Sequence, residues 1–392
     1  MSIARMRDFT GPAILSYGFR PFFFLGSIYS ALTILFWIPL FQGQLESYSA
    51  FHPVDWHAHE MLFGVLPAIA TGFLLTAVPN WTGRLPVQGA RLALLAGFWV
   101  IGRLGVSFSM FMGPLLVAIL DNLFLASVLV AVGTEIFSGR NWRNLKVLVP
   151  LAILLAGNIL FHLEAYLSGT SDIARRLGMA AIITLIVLIG GRIIPSFTRN
   201  WLVRANPGRL PAPFGRFDIA AVGCSILAFG LWIAMPQSLL TGLAMLAAAI
   251  LHFVRLARWA GERTVREPLV LILHLAYFFV PSGFALIGLS CLQPDWVGQA
   301  AGLHAFGAGA AGTMTLAVMM RATLGHTGRA LTMTRGAKLI FAFAFLAALT
   351  RVSAAINGST LLIEISGLAW VGAFFGFAIV FGPALLMPRQ VG

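Results

Sequence analysis

Charge is the first scarcity in this chain. Of its 392 residues, 26 are Lys or Arg and 13 are Asp or Glu, so charged residues make up 10%. Soluble domains carry about 25%. So few charges cannot coat a water-exposed globule of this length, which argues against a soluble enzyme, a nucleic-acid-binding domain and a disordered chain. Cysteine is nearly absent: Cys224 and Cys291 stand far apart in apolar surroundings, so neither a disulfide framework nor a cysteine metal site is expected. There is no Walker loop, no Rossmann glycine fingerprint, no Gly-x-Ser-x-Gly elbow, no CxxC and no CxxCH. Covalent c-type haem attachment is therefore excluded.

What the chain has in quantity is apolar length. Hydrophobic residues make up 59% and the mean hydropathy is +0.90. A membrane span needs about 20 predominantly apolar residues, and about twelve such runs are legible. They fall near 21–41, 57–79, 90–107, 109–133, 145–167, 174–195, 217–236, 238–257, 268–290, 298–320, 336–356 and 361–385. The fold class expected is an all-α, polytopic membrane helix bundle, read as one domain over 1–392 without a convincing internal repeat. Arg5 and Arg7 precede the first run with no small-residue cleavage site after it, so that run reads as an anchor.

The net charge of +13 would suggest nucleic acid in a soluble protein, but here the cations sit between the apolar runs. Arg84 and Arg91, then Arg140, Arg143 and Lys146, then Arg199, Arg204, Arg209 and Arg216 follow even-numbered spans. So do the groups at 255–266 and 321–338, whereas the segments 42–56 and 292–299 hold no Lys or Arg. The positive-inside rule then places both termini in the cytoplasm. Arg175, Arg176 and Arg351 break the pattern.

Ionisable groups inside a membrane are costly and point to function by default. In Asp55-Trp56-His57-Ala58-His59-Glu60, helical spacing puts His57 and Glu60 on one face. His57 and His59 could bind one metal only if this first turn were irregular. His52, His162 and His304 fall at similar depth on the same expected outer side. A site of His57, His59, His304 and His162, with Glu60 or Asp55 behind it, would suit a metal bound by imidazole. Near the opposite side, His252 and His274 flank the arginine-rich connection symmetrically and could face each other as bis-imidazole haem ligands; His326 lies nearby. Arg192, between Gly190-Gly191 and Pro195, is expected at a broken helix end, aimed at an anion such as a haem propionate. Asp121 and Glu164 are read as proton relays or as partners of Arg103.

Several blocks carry a family resemblance. Trp56-His57-Ala58-His59-Glu60-Met61-Leu62-Phe63-Gly64, Gly72-Phe73-Leu74-Leu75-Thr76-Ala77-Val78-Pro79-Asn80-Trp81-Thr82-Gly83 and Phe19-Arg20-Pro21-Phe22-Phe23 look like NnrS-family sequence. Gly191-Arg192-Ile193-Ile194-Pro195-Ser196-Phe197-Thr198, His274-Leu275-Ala276-Tyr277, and the stretch from Gly312 to Met319 leading to Gly325-His326-Thr327-Gly328-Arg329 continue it in order. The resemblance implies a multi-pass protein of the bacterial cytoplasmic membrane that contains haem b and copper. It also implies a role in the nitric oxide response, nitrosative-stress resistance and denitrification. The blocks hold His57, His59, Glu60, Arg192, His274 and His326, with His304 beside them.

The function expected from residues and resemblance together is metal-centred binding or reduction of nitric oxide, an oxidoreductase reading, with an unidentified electron donor. Glu60 is the candidate proton carrier. His57, His59, His304, His274 and Arg192 are the cofactor candidates, and His57, His59, His304, His162 and His326 the metal ligands. The alternative is a transporter or metal-handling protein for copper, haem or a nitrosylated species. A divergent haem–copper oxygen reductase stands last, because the adjacent His-His pair and the His-Pro-Glu run of those enzymes are missing. The partners expected are the lipid bilayer and a small molecule such as nitric oxide, without nucleic acid.

Overall fold

A computed structural model describes residues 9–390 of the chain; Arg5 and Arg7 lie outside them. Twelve helices are long and apolar enough to cross a membrane, and no strand occurs among the described residues. They are α1 Phe19–Phe41, α2 Pro53–Thr82, α3 Ala90–Ser107, α4 Pro114–Ser138, α5 Trp142–Ser168 and α6 Asp172–Ala205, followed by α7 Arg216–Ala234, α8 Leu239–Ala257, α9 Pro268–Leu292, α10 Gln299–His326, α11 Arg335–Asn357 and α12 Thr360–Leu386.

The ends obey local chemistry. α2, α4 and α9 each begin with proline at the first helical position, where its missing N–H has no intrahelical acceptor to lose. That rule puts the start of the fourth span at Pro114, after a short turn at Ser109–Phe111, where apolar length alone puts it at 109. Gly83, Gly169 and Gly358 end α2, α5 and α11 in the left-handed conformation, which a residue without Cβ adopts cheaply. One expectation is overturned. α6 runs unbroken to Ala205 with Pro195 inside it, so Arg192 stands in mid-helix, half-buried, and not at a broken end.

By its internal contacts the chain groups into two compact units. Among the described residues, the first comprises 9–178, 319–330 and 374–390; the second comprises 179–318 and 331–373. In the first, α2 packs on α1 and α4, and α4 also on α3 and α5. In the second, α7, α8, α9, α10 and α11 pack each on the next. α2 is the most enclosed helix, with 78% of its apolar window buried against 33% for α7. Side chains on α2 are thus withdrawn from lipid as well as from water, which is where a polar site can persist.

Arg20 shows what the Phe19-Arg20-Pro21 block does. It is 3% exposed, and its Nη1 donates to the carbonyls of Leu385 at 2.8 Å and Met387 at 2.7 Å. Those carbonyls close α12, where the helix leaves its last acceptors without intrahelical donors. Arg20→Ala is expected to remove about 1.5–3 kcal/mol, the range for hydrogen bonds to a charged group. The check is thermal unfolding in detergent together with protease cleavage after α12; an unchanged midpoint and cleavage rate would refute the capping role.

Candidate functional site

The candidate site is built around the second helix. His52 precedes Pro53, and α2 winds regularly through Asp55, Trp56, His57 and His59. From Glu60 to Val65 it widens to π-helical hydrogen bonding. Such a turn accommodates one more residue than an α-turn, and π-bulges are frequent at functional positions. The irregularity that a shared role for neighbouring residues required is therefore present, but it joins a different pair. His59 and Glu60 both point inward, with His59 Nδ1 3.0 Å from Glu60 Oε1. His57, half-buried, stacks on Trp37 with ring centroids 4.4 Å apart.

Around His59 and Glu60 lies a closed set of polar side chains. Tyr29 on α1 donates to Glu60 Oε2 at 2.5 Å. Arg103 on α3 gives Nη1 to both Glu60 oxygens, at 2.8 and 2.7 Å, and Nη2 to Asp121 Oδ1 on α4. Asp121 Oδ2 accepts from Asn158 Nδ2 at 2.7 Å and meets His162 Nε2 at 2.9 Å, both from α5. It also stands 3.0 Å from His59 Nε2. His59 and Glu60 are wholly buried, and Asp121 is 1% exposed. The rings of Phe51, Phe63 and Phe161 stand 4.9–5.6 Å from that of His59.

The hydrogen-bond polarity can be worked out. Asn158 uses its amide N–H on Asp121, so its Oδ1 faces His59 Nε2, 2.9 Å away. His59 thus has a carboxylate oxygen at Nδ1 and oxygen acceptors at Nε2, which calls for a hydrogen on each nitrogen. With those hydrogens, two cations (Arg103 and His59) meet two carboxylates (Glu60 and Asp121), and the formal charge is zero. A buried ionic group survives only when paired in this way. One ligand atom each from His59, Asp121 and His162 lies within 4.8 Å of the others, so an ion at the Nε2 position would find three donors already converged.

Other candidates from the sequence have separate places. Glu164 does not pair with Arg103; its carboxylate accepts from the N–H groups of Ile173 and Ala174 and caps α6. Arg175 pairs with Asp172 and lies 3.7 Å from Asp55. His304, in the second unit, bonds through Nδ1 to the carbonyl of Ala300 at 2.7 Å, and another π-helical stretch follows it at Ala305–Gly312. His326 stacks on Tyr17 at 5.5 Å.

A second buried network belongs to the second unit. Arg255 Nε donates to Asp218 Oδ1 at 2.9 Å, and its Nη1 donates to the Tyr277 hydroxyl at 3.0 Å and to the Val187 carbonyl. The Tyr277 oxygen accepts from Arg255, so its hydrogen goes to His252 Nδ1 at 2.8 Å. His252 Nε2–H then donates to Ser225 Oγ at 2.6 Å, and Ser225 donates to Ala221. Both nitrogens of His252 are engaged, so the expected His252–His274 pair is not presented as two free imidazoles. His274 bonds to Thr198 through Nε2 at 2.8 Å, while its buried Nδ1 has no hydrogen-bond partner among the described residues.

Asn158 and Tyr29 were not singled out from the sequence. For Asn158 a signal existed: an amide within an apolar run, four residues before His162, falls on the same helical face. For Tyr29 there was none beyond an isolated hydroxyl in α1. A family model described as NnrS protein matches residues 13–389. No curated protein and no solved structure matches the chain.

Proposed function

We propose that this chain, which belongs to the NnrS family, is a multi-pass protein of the bacterial inner membrane that binds copper and acts on nitric oxide. The observation that carries the metal half of this reading is the buried convergence of His59, Asp121 and His162. Two imidazole nitrogens and a carboxylate oxygen suit a first-row transition metal. Glu60, bonded to the far nitrogen of His59, would fix that ring's orientation, as carboxylates do behind metal-bound histidines. Charge favours a monovalent ion. Taking the hydrogen from His59 Nε2 leaves a formal charge of minus one on the cluster, which a cuprous ion cancels.

Bound copper supplies a centre that takes nitric oxide and exchanges one electron. The protein's own groups set the surroundings. Phe51, Phe63 and Phe161 keep water from the ligands, and a site this enclosed admits a small uncharged molecule more readily than a hydrated ion. Glu60 accepts from the Tyr29 hydroxyl, from Arg103 and from His59, so it stands as a carboxylate beside the ligands and orients the His59 ring. For haem, His274 Nδ1 is the nitrogen left over, yet a Cβ at Gly261 would lie 2.5 Å from it. The Gly261 turn occupies the space a porphyrin would need, so no step is assigned to haem.

The test is copper content of the purified protein and its absorbance change with nitric oxide. Native protein is expected to hold roughly one copper per chain, and His162→Ala and Asp121→Asn to lose it; Glu60→Gln is expected to weaken binding about 10–100-fold. His57→Ala should retain copper, since its ring packs on Trp37. Full copper occupancy in both His162→Ala and Asp121→Asn would overturn the site. Copper uptake into vesicles by a protein indifferent to nitric oxide would favour metal handling over chemistry.

A further inference from the structure

Three membrane helices end at one corner of the first unit. α1 starts at Phe19, α10 ends at His326 and α12 ends at Leu386. Arg20 ties α1 to the end of α12. The backbone N–H of Gln390 donates to the Thr327 carbonyl at 3.0 Å, tying the segment after α12 to the segment after α10. Gly328 sits there with φ +76, and a Cβ on it would collide with the Gln390 carbonyl. The two segments therefore run in direct backbone contact, at the level where helices leave the apolar layer.

Among the described residues of this corner the charged side chains are all cationic. Each segment brings an arginine, namely Arg20, Arg329 and Arg389, and His326 stands between the rings of Tyr17 and Phe19. Residues 9–20, 319–330 and 374–390 contain no Asp or Glu. The charge acting on Arg20 is Arg329, and the one acting on His326 is Arg389, like-signed in both cases. Arg20 spends Nη1 on backbone carbonyls, but the buried Nη1 of Arg329 has no hydrogen-bond partner among the described residues. A guanidinium nitrogen withdrawn from water with no acceptor costs free energy unless an anion meets it.

We infer that this corner binds a phosphate-bearing anion, with Arg329 and Arg389 as its ligands and a phospholipid headgroup as the occupant. Arginine pairs with phosphate through parallel N–H donors, and basic pockets between helix ends are where anionic headgroups bind. A headgroup is favoured over a free anion because all three helices end here, at headgroup depth. Seated across α1, α10 and α12, the lipid would hold three chain segments that are remote in sequence.

The full-length protein in a neutral detergent tests this, with phosphatidylglycerol, phosphatidylcholine or inorganic phosphate added. Phosphatidylglycerol is expected to raise the melting temperature by on the order of 5 °C, and phosphatidylcholine to leave it unchanged. Arg329→Gln/Arg389→Gln should lose that increment and the lipid retained in native mass spectra. The single variant Arg389→Gln, on an exposed residue, should lose part of it if the double variant does not fold. A response to inorganic phosphate as large as that to the lipid would keep the anion site and replace its source. An equal response to both lipids, or an increment that survives Arg389→Gln undiminished, would overturn the proposal.

Discussion

Arg103→Gln is expected to destabilise the protein by about 3–5 kcal/mol, the range for removing one partner of a buried ion pair. Arg103 is 4% exposed and holds Glu60 and Asp121 together. Without it, two carboxylates remain in an apolar interior with His59 as their one cation. Arg103→Lys should recover little, because a point ammonium cannot reproduce a planar fork bonded to two carboxylates at once. Adding Asp121→Asn to Arg103→Gln should restore part of the loss by removing the charge left behind. Thermal unfolding and monodispersity in detergent give the readout; a midpoint within roughly 1 °C of native for Arg103→Gln would sink the account.

Arg255 in the second unit makes the companion case. It is 1% exposed, bonded to Asp218 and Tyr277, with its guanidinium 5.2 Å from the Trp259 ring centroid. Arg255→Gln should also cost about 3–5 kcal/mol and leave Tyr277 without the donor that orders the chain through His252 to Ser225. Here a double-mutant cycle separates the pair from its surroundings. Asp218→Asn should cost less, since its one amide oxygen can still accept from either Arg255 Nε–H or the Gly215 N–H, now 3.1 Å from Asp218 Oδ2. The double variant should be more stable than Arg255→Gln alone. Strict additivity of the two single effects would mean that the buried pair is not coupled.

The spans were legible because membrane length and hydropathy are properties of contiguous residues. The third span, 90–107, coincides with α3 Ala90–Ser107, and the first and twelfth differ from theirs by one or two residues at an end. Where the reading slipped, a rule about one residue competed with apolar length: Pro114 starts α4 late, and Pro195 fails to stop α6. Neighbouring helices and local 3₁₀ or π adjustments can sustain a proline inside a membrane helix, and no sequence window reports them.

The site was half legible. His59, Glu60, Asp121 and His162 stood out as ionisable groups in apolar runs, and such groups do converge here. Which of them meet was decided across helices, by pairings that periodicity along one helix cannot express. His57 and His59 illustrate the point. Two residues apart, they could share a metal only across an irregular turn, and one stacks on a tryptophan of α1 while the other joins a carboxylate from α4. Glu164 and Arg103 had the right chemistry to pair, but a helix N-terminus took Glu164 instead.

The widened turn at Glu60–Val65 acts as a phase step in α2. Each residue of an α-helix advances about 100° around the axis, so one surplus residue offsets everything before it from everything after. The stripe carrying Asp55 and His59 and the stripe running from Leu66 to Thr82 follow separate rotational frames within a single rod. Loss of one residue inside that turn would bring the frames back into register. His59 would then swing by about 100° relative to the rest of α2, while length, hydropathy and net charge stayed almost as they are. The polar cluster is thus vulnerable to a genetic change that leaves α2 a sound membrane helix.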